Sequence, residues 1–255
     1  MPNKENKGRT EEHNRTNRCI WFFGSGASIE NGFEYKEPEE RKKKDRNERV
    51  MLIHKDVSAK MQKVSNVPIY KELLLNLASY TSKNWQHLFC TTNWDYLLQR
   101  EIDRLFPEKK PPWLNDNLVF HLNGTVEPHS EDSVFTRQSI LLPDDPLDYR
   151  KRTIETNIAF TKIFAQKMFV VVGMSLNYEI DRILPPIIEY INDGINFGPK
   201  WLIVNKCKND FNLVDRYIKD TIRGVTLLRR EEITFEKWLK NGMQELQREG
   251  VLIST

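Results

Sequence analysis

Five sites of glycine, hydroxyl, amide and imidazole residues punctuate this chain, each at the end of a short apolar run. Gly24-Ser25-Gly26-Ala27-Ser28 follows residues 19–23 (CIWFF). Glycine lets backbone come close to a phosphate, and N–H groups opening a helix present a partial positive charge to it. The pattern is not a full G-x-G-x-x-G, because Ile29 holds the third glycine position, and a bare G-x-G also serves tight turns. Thr91-Thr92-Asn93-Trp94-Asp95 follows residues 87–90. One of Thr92, Asn93 or Asp95 would be enough to cap a helix starting near Tyr96; the crowding of five polar or amphipathic groups favours a ligand-binding role. His121-Leu122-Asn123-Gly124-Thr125 closes a third run. Histidine can act as base or hydrogen-bonding partner near neutral pH, and it shares a strand face with Asn123 if extension persists. Gly173-Met174-Ser175 and Asn205 close the fourth and fifth runs.

The elements that must position these clusters are legible in the hydropathy pattern. Six runs of four or five apolar residues, at 19–23, 87–90, 118–122, 168–172, 201–204 and 225–228, read as strands buried on both faces. Between them lies helical spacing: Leu97, Leu98, Ile102 and Leu105; Ile154, Ile158 and Ile163; then Ile180, Ile183 and Leu184, in a helix that Pro185-Pro186 break into two. Phe235, Trp238, Leu239, Met243 and Leu246 predict one amphipathic last helix ended by Gly250. Strands alternating with helices imply an α/β fold, a Rossmann-like doubly wound, mostly parallel sheet with helices on both faces. In such sheets ligands bind outside the carboxyl ends of the strands, where all five clusters fall.

The chain has 255 residues, enough for one sizeable core. Residues 1–18 offer little apolar surface and are expected as a disordered tail, leaving 19–255 as a single domain with a charged helical insertion around 33–66. The run from Lys36 to Arg49 (KEPEERKKKDRNER) reads first as a solvated helix face laced with i,i+4 ion pairs, and second as a lid or docking element. A net charge of +3 gives no single-sign field for nucleic acid or membrane. No apolar run approaches a membrane span and the N-terminus lacks a signal-peptide core, so the cytoplasm is expected. Cys19, Cys90 and Cys207 are scattered, neither a disulfide framework nor a zinc site; no metal is expected.

Taken together, residues 23–28 (FGSGAS), 92–95 (TNWD), 120–124 (FHLNG), 172–176 (VGMSL) and Asn205 resemble the sirtuin (SIR2) family, and more closely its bacterial branch of NAD-consuming antiphage-defence proteins. The similarity runs in order over roughly residues 19–240. Three departures accompany it. Gly32-Phe33-Glu34 stands where deacylating sirtuins carry a longer arginine-containing stretch, and the four-cysteine zinc module is missing. Asn123, rather than histidine, directly precedes the glycine, with His121 two residues upstream.

The resemblance implies an NAD+ hydrolase that cleaves the nicotinamide–ribose bond. Catalytic residues would be Asn93, His121, Asp95 and Asn123: Asn93 holds water and ribose, His121 meets the ribose hydroxyls or acts as base, and Asp95 orients the nicotinamide or 2′-hydroxyl side. Gly24, Ser25, Gly26, Ala27 and Ser28 would take the pyrophosphate, with Thr92, Gly173, Met174, Ser175 and Asn205 completing the NAD+ site. It also implies a homo-oligomer or an assembly with a HerA-type hexameric ATPase; the apolar residues 251–253 are a candidate contact, with tucking against the chain's own core as the alternative. The alternatives are a sensor that binds NAD or ADP-ribose without cleaving it and a non-catalytic assembly subunit. Gly26→Val is expected to spare the fold, and Asn93→Ala to be nearly neutral for stability.

Overall fold

A computed structural model of the chain describes residues 17–114, 119–126, 140–142, 145, 168–174, 200–206, 226–231 and 233–255. The expected helices around Ile154–Ile163 and Ile180–Leu184, together with Ser175 and Cys207, lie outside these residues.

Six strands form one sheet: β1 (Asn17–Phe23), β2 (Trp85–Thr91), β3 (Phe120–His121), β4 (Met168–Val172), β5 (Lys200–Val204) and β6 (Thr226–Glu231). They are ordered β3-β2-β1-β4-β5-β6 and every pairing is parallel. The order reverses about β1, so the polar segments after β1 and β4 leave the sheet side by side. This is the Rossmann-like α/β arrangement. The apolar runs are continuous because both faces are covered. Trp21, Phe23, Phe89, Val170 and Leu202 join one core cluster, while Ile20, Phe22, Leu88, Phe169 and Ile203 on the alternate face are equally buried.

Three boundaries differ from expectation. β1 begins at Asn17, paired with Trp85, so residues 17 and 18 belong to the sheet and not to a tail. β3 is only two residues long: the chain turns at Leu122-Asn123 and the Gly124 N–H returns to the His121 carbonyl at 3.1 Å. Extension does not persist, so His121 and Asn123 do not share a strand face. The last helix is two, α5 (Phe235–Lys240) and α6 (Gln244–Arg248), because Gly242 and Met243 take left-handed conformations between them. Its apolar residues are buried as the spacing required, and Gly250 at φ 69° ends α6. Val251 and Leu252 then tuck against the core, at 0% and 3% exposure, and Leu252 bridges Thr81. They are unavailable as a docking contact; Ile253 alone is exposed.

Between β1 and β2 lie α1 (Ser25–Glu30), α2 (Arg46–Lys63) and α3 (Pro68–Tyr80), and α4 (Leu97–Leu105) follows β2. The charged run is not one helix. Residues 39–43 make a 3-10 turn, Asp45 caps α2 through the N–H groups of Asn47 and Glu48, and only the run's last residues are α-helical. Nor is it all solvated: the Arg49 guanidinium grips the Glu37 carboxylate through two bonds of 2.5 and 2.6 Å, with both side chains buried. α3 has no counterpart in the sequence analysis, although its signal is present: Pro68 at N1, then Ile69, Tyr70, Leu73, Leu74 and Leu77 on one buried stripe. Its first N–H groups are capped from a distance, since Asn31 Oδ1 accepts from Ile69 and Tyr70.

On β2, His87 is fully buried. Trp21 Nε1 donates to its Nδ1 at 2.8 Å, which leaves the proton on Nε2, directed at Thr81 Oγ1 3.2 Å away. Burial pushes its pKa down to about 3 from an ordinary 6.5. A depressed histidine contributes stability that is fully present above pH 6.5 and is lost as pH falls through the folded value. Between pH 7 and 4.5 this residue should remove roughly 2–3 kcal/mol. His87→Gln keeps one acceptor and one donor and does not titrate, so urea midpoints of that variant should fall less over this range. Parallel pH profiles for the two proteins would refute the assignment.

Candidate functional site

The carboxyl ends of β1 and β4 meet through their backbones. With Phe23 in register with Val172, Gly24 N–H donates to the Val172 carbonyl at 3.0 Å and Gly26 N–H to the Gly173 carbonyl at 2.9 Å. A Cβ on Gly24 would lie 2.6 Å from the Gly173 oxygen, and one on Gly26 would lie 2.9 Å from the Gly173 Cα. These glycines are therefore required by chain packing against chain. Ala27 N–H closes onto the Gly24 carbonyl at 3.1 Å, so three N–H groups expected to face a phosphate are already used within the protein. Ser25 is the exposed residue of this loop.

Phe23 is likewise in register with Thr91 on β2. Its carbonyl accepts from Thr92 N–H at 3.1 Å and from Thr91 Oγ1 at 2.9 Å, which lashes the following segment to the centre of the sheet. Asn93 then lies against the first loop: its Nδ2 donates to the Gly24 carbonyl at 2.9 Å and to Ser28 Oγ at 2.8 Å. Ser28 Oγ donates to Asp95 Oδ2 at 2.9 Å and lies 3.4 Å from the Tyr70 hydroxyl. Asp95 Oδ1 accepts the Leu97 N–H at 3.2 Å, so Asp95 does cap α4 while also joining this network. Burial raises the Asp95 pKa to about 6. Its carboxylate meets the Ser28 hydroxyl and the Leu97 N–H at the start of α4. Ser28, too, is buried and bonded within the protein.

His121 is 8% exposed. The Asn93 carbonyl, which can only accept, lies 3.3 Å from Nδ1, so Nδ1 carries the proton and Nε2 presents a lone pair. Nε2 is buried without a hydrogen-bond partner among the described residues. Burial lowers the pKa to about 4, so the ring is neutral at physiological pH. Asn123 is 0% exposed, its Nδ2 donates to the Thr92 carbonyl at 2.6 Å, and its Oδ1 is the second orphaned acceptor here. Trp94 Nε1 holds the turn by donating to the Asn123 carbonyl at 3.1 Å. On the other side, Asn205 Nδ2 donates to the Met174 carbonyl at 3.1 Å, tying the end of β5 to the loop after β4; the Met174 side chain is fully buried.

The expected residues thus gather at one edge of the sheet, but they divide by task. Asn93 Oδ1, His121 Nε2 and Asn123 Oδ1 are acceptors with no partner among the described residues. Asp95, Ser28, Asn123 Nδ2 and Asn205 Nδ2 are engaged within the protein, and Gly24, Gly26 and Gly173 make the strand-end contact. Tyr70 and Asn31 join the network without having been among the expected residues, whereas Trp94 belonged to the second cluster without an assigned role. Asn31 Nδ2 donates to the Ala27 carbonyl, pinning α1 as well as capping α3. Only α3's helical spacing pointed toward Tyr70, and it said nothing of a partner 42 residues away.

The fold is of the Rossmann-like α/β class, and the site lies at the strand-order reversal, at the carboxyl ends of the strands where open sheets of this kind bind ligands. No protein-family model matches the chain, and no curated protein does. Among the described residues there is no group of three or more His, Cys, Asp or Glu arranged to hold a metal, and no helix long and apolar enough to cross a membrane.

The glycine contact changes the expected outcome of loop substitutions. Gly26→Val drives a branched side chain into the Gly173 backbone and cannot spare the fold. Gly173→Ala, at φ 60°, would place a Cβ against Ala27 N and 2.8 Å from the Gly26 carbonyl carbon. It should cost about 3 kcal/mol or more. Gly32→Ala, at φ 83° with open space around it, should cost only ~1 kcal/mol of backbone strain. Urea unfolding of the two alanine variants checks this; equal losses would mean that φ, not the close approach, governs Gly173.

Proposed function

We propose that this chain hydrolyses NAD+ at the nicotinamide–ribose bond. The observation that carries the reading is the unpartnered, buried His121 Nε2 lone pair, held in its tautomer by the backbone of Asn93. Asn93, whose backbone carbonyl meets the ring, has an amide oxygen with no partner among the described residues. Ribose hydroxyls and water are hydrogen-bond donors, the complement of such acceptors. In the reaction the C1′–N bond breaks, nicotinamide leaves as a neutral molecule with the bonding pair, and water adds at C1′ to give ADP-ribose while releasing a proton to solvent. Since the leaving group is neutral, little acid catalysis is required. Positioning of the ribose and water and stabilisation of an oxocarbenium-like centre carry the rate. Asn93 would hold water or ribose through Oδ1, and His121, neutral above about pH 4, would orient a hydroxyl or water. The first loop would contribute close backbone approach and Ser25, its other N–H groups being engaged.

The resemblance extends the reading to antiphage defence by NAD+ depletion, in a homo-oligomer or with a HerA-type ATPase. One observation favours the alternative of a sensor that binds NAD or ADP-ribose without cleavage. Asn123, where the resembling family carries its histidine, is wholly buried and donates to Thr92.

Incubation of the pure chain with NAD+, alone and with a candidate ATPase, should release nicotinamide. His121→Ala should lower the rate about 10²-fold or more while calorimetric NAD+ affinity persists. Asn93→Ala should also abolish release. Because it removes two hydrogen bonds, it should cost about 1–3 kcal/mol of stability instead of being neutral. Binding without release in the unmodified protein would favour the sensor. Full turnover in His121→Ala would overturn the role given to that residue.

A further inference from the structure

The partners of the Asn93 carboxamide fix its orientation. The Gly24 carbonyl only accepts, so the atom 2.9 Å from it must be the amide nitrogen. Its second hydrogen meets Ser28 Oγ at 2.8 Å. That meeting requires a lone pair there, and the lone pair is available because the Ser28 hydrogen is directed to the Asp95 carboxyl, 2.9 Å away. The Tyr70 hydroxyl then donates to the remaining lone pair of Oγ at 3.4 Å. Ser28 is thus saturated: one donation and two acceptances. Asn93 Nδ2 is saturated as well, and Oδ1 is the polar atom of that side chain with no partner among the described residues. Asn93 is partly exposed, whereas Ser28, Asp95 and Tyr70 are buried.

We infer that Ser28 is a positioning residue, whose hydroxyl couples the Asp95 carboxyl to the Asn93 carboxamide and leaves Asn93 Oδ1 as a fixed acceptor for a hydroxyl or water of the ligand. This assigns Ser28 a task different from holding pyrophosphate, since its oxygen is fully engaged inside the protein. Without the Asp95 acceptor the hydroxyl could turn its hydrogen toward Nδ2, and donor would face donor. Without the hydroxyl, Nδ2 keeps only the Gly24 carbonyl, and the carboxamide can rotate. The catalytic consequence rests on the NAD+-hydrolysis reading; the hydrogen-bond geometry does not.

The test reads Asn93 directly. In the full chain with 15N-labelled asparagine, the Asn93 carboxamide signals are assigned by their loss in Asn93→Ala. Ser28→Ala should speed their hydrogen exchange roughly five- to tenfold, the ratio one ordinary hydrogen bond supports. Tyr70→Phe removes a comparable buried bond from the same hydroxyl but none from Asn93, and should leave that exchange unchanged. If Ser28→Ala does not fold, Ser28→Cys supplies a weaker acceptor of similar shape and should give a smaller acceleration. Unchanged exchange in the folded serine variant, or equal acceleration in Tyr70→Phe, overturns the assignment. In protein that releases nicotinamide, Ser28→Ala should lower kcat with little change in KM. Failure of the unmodified chain to release nicotinamide would remove the catalytic reading and leave the exchange result standing.

Discussion

Gly173 lies backbone-to-backbone against Gly24 and Gly26, closer than any side chain would permit, and the carboxyl edge of the sheet is organised from that contact. Parallel pairing brings the ends of β1 and β4 to the same level, so the two chains must leave the sheet together. Glycine in both exits lets the Gly26 N–H reach the Gly173 carbonyl, which fixes the start of α1. Once α1 is fixed, the Gly24 carbonyl and Ser28 hydroxyl stand where Asn93, delivered by β2, completes both bonds. Each step satisfies polar backbone or side-chain groups that would otherwise be buried unpaired, at a cost of about 1–3 kcal/mol each.

Burial sets the electrostatics of this edge. Asp95 would be unfavourable there as an anion, and the Ser28 hydroxyl and Leu97 N–H offset only part of that, so its pKa rises to about 6. A raised carboxyl pKa means that folding is penalised where Asp95 is ionised, and the penalty is relieved as pH falls from about 6 toward the ordinary 3.8. His121 and His87 work in the opposite sense, since burial favours their neutral forms and stability is lost below pH 6.5. The same burial gives His121 its chemical character: a neutral ring with a fixed tautomer and an open lone pair.

The charged region between β1 and β2 shows how partial a pattern of charge can be. Glu39 with Lys42 and Lys44 with Glu48 are exposed pairs of the local, i,i+3 and i,i+4 kind, which contribute little. Arg49 with Glu37 is buried and two-pronged, and ties the loop to α2. Sequence spacing alone does not separate these cases, because the difference lies in what covers them.

The sequence by itself determined the strand runs, their alternation with helices, and the location of polar clusters at strand ends. Those features are local: apolar continuity reflects burial on both faces, and the period of the pattern reports the element. It also placed Asn93 and His121 among the candidates. Only the tertiary structure decided that β3 stops at His121, that the last helix breaks at Gly242 and Met243, and that residues 251 and 252 fold inward. It alone divided the polar cluster into groups with open acceptors and groups already engaged. Those outcomes depend on partners tens of residues away, Ser28 with Asp95, Trp94 with Asn123 and Gly26 with Gly173. Which lone pair stays free is a property of the assembled network, and no spacing along the chain encodes it.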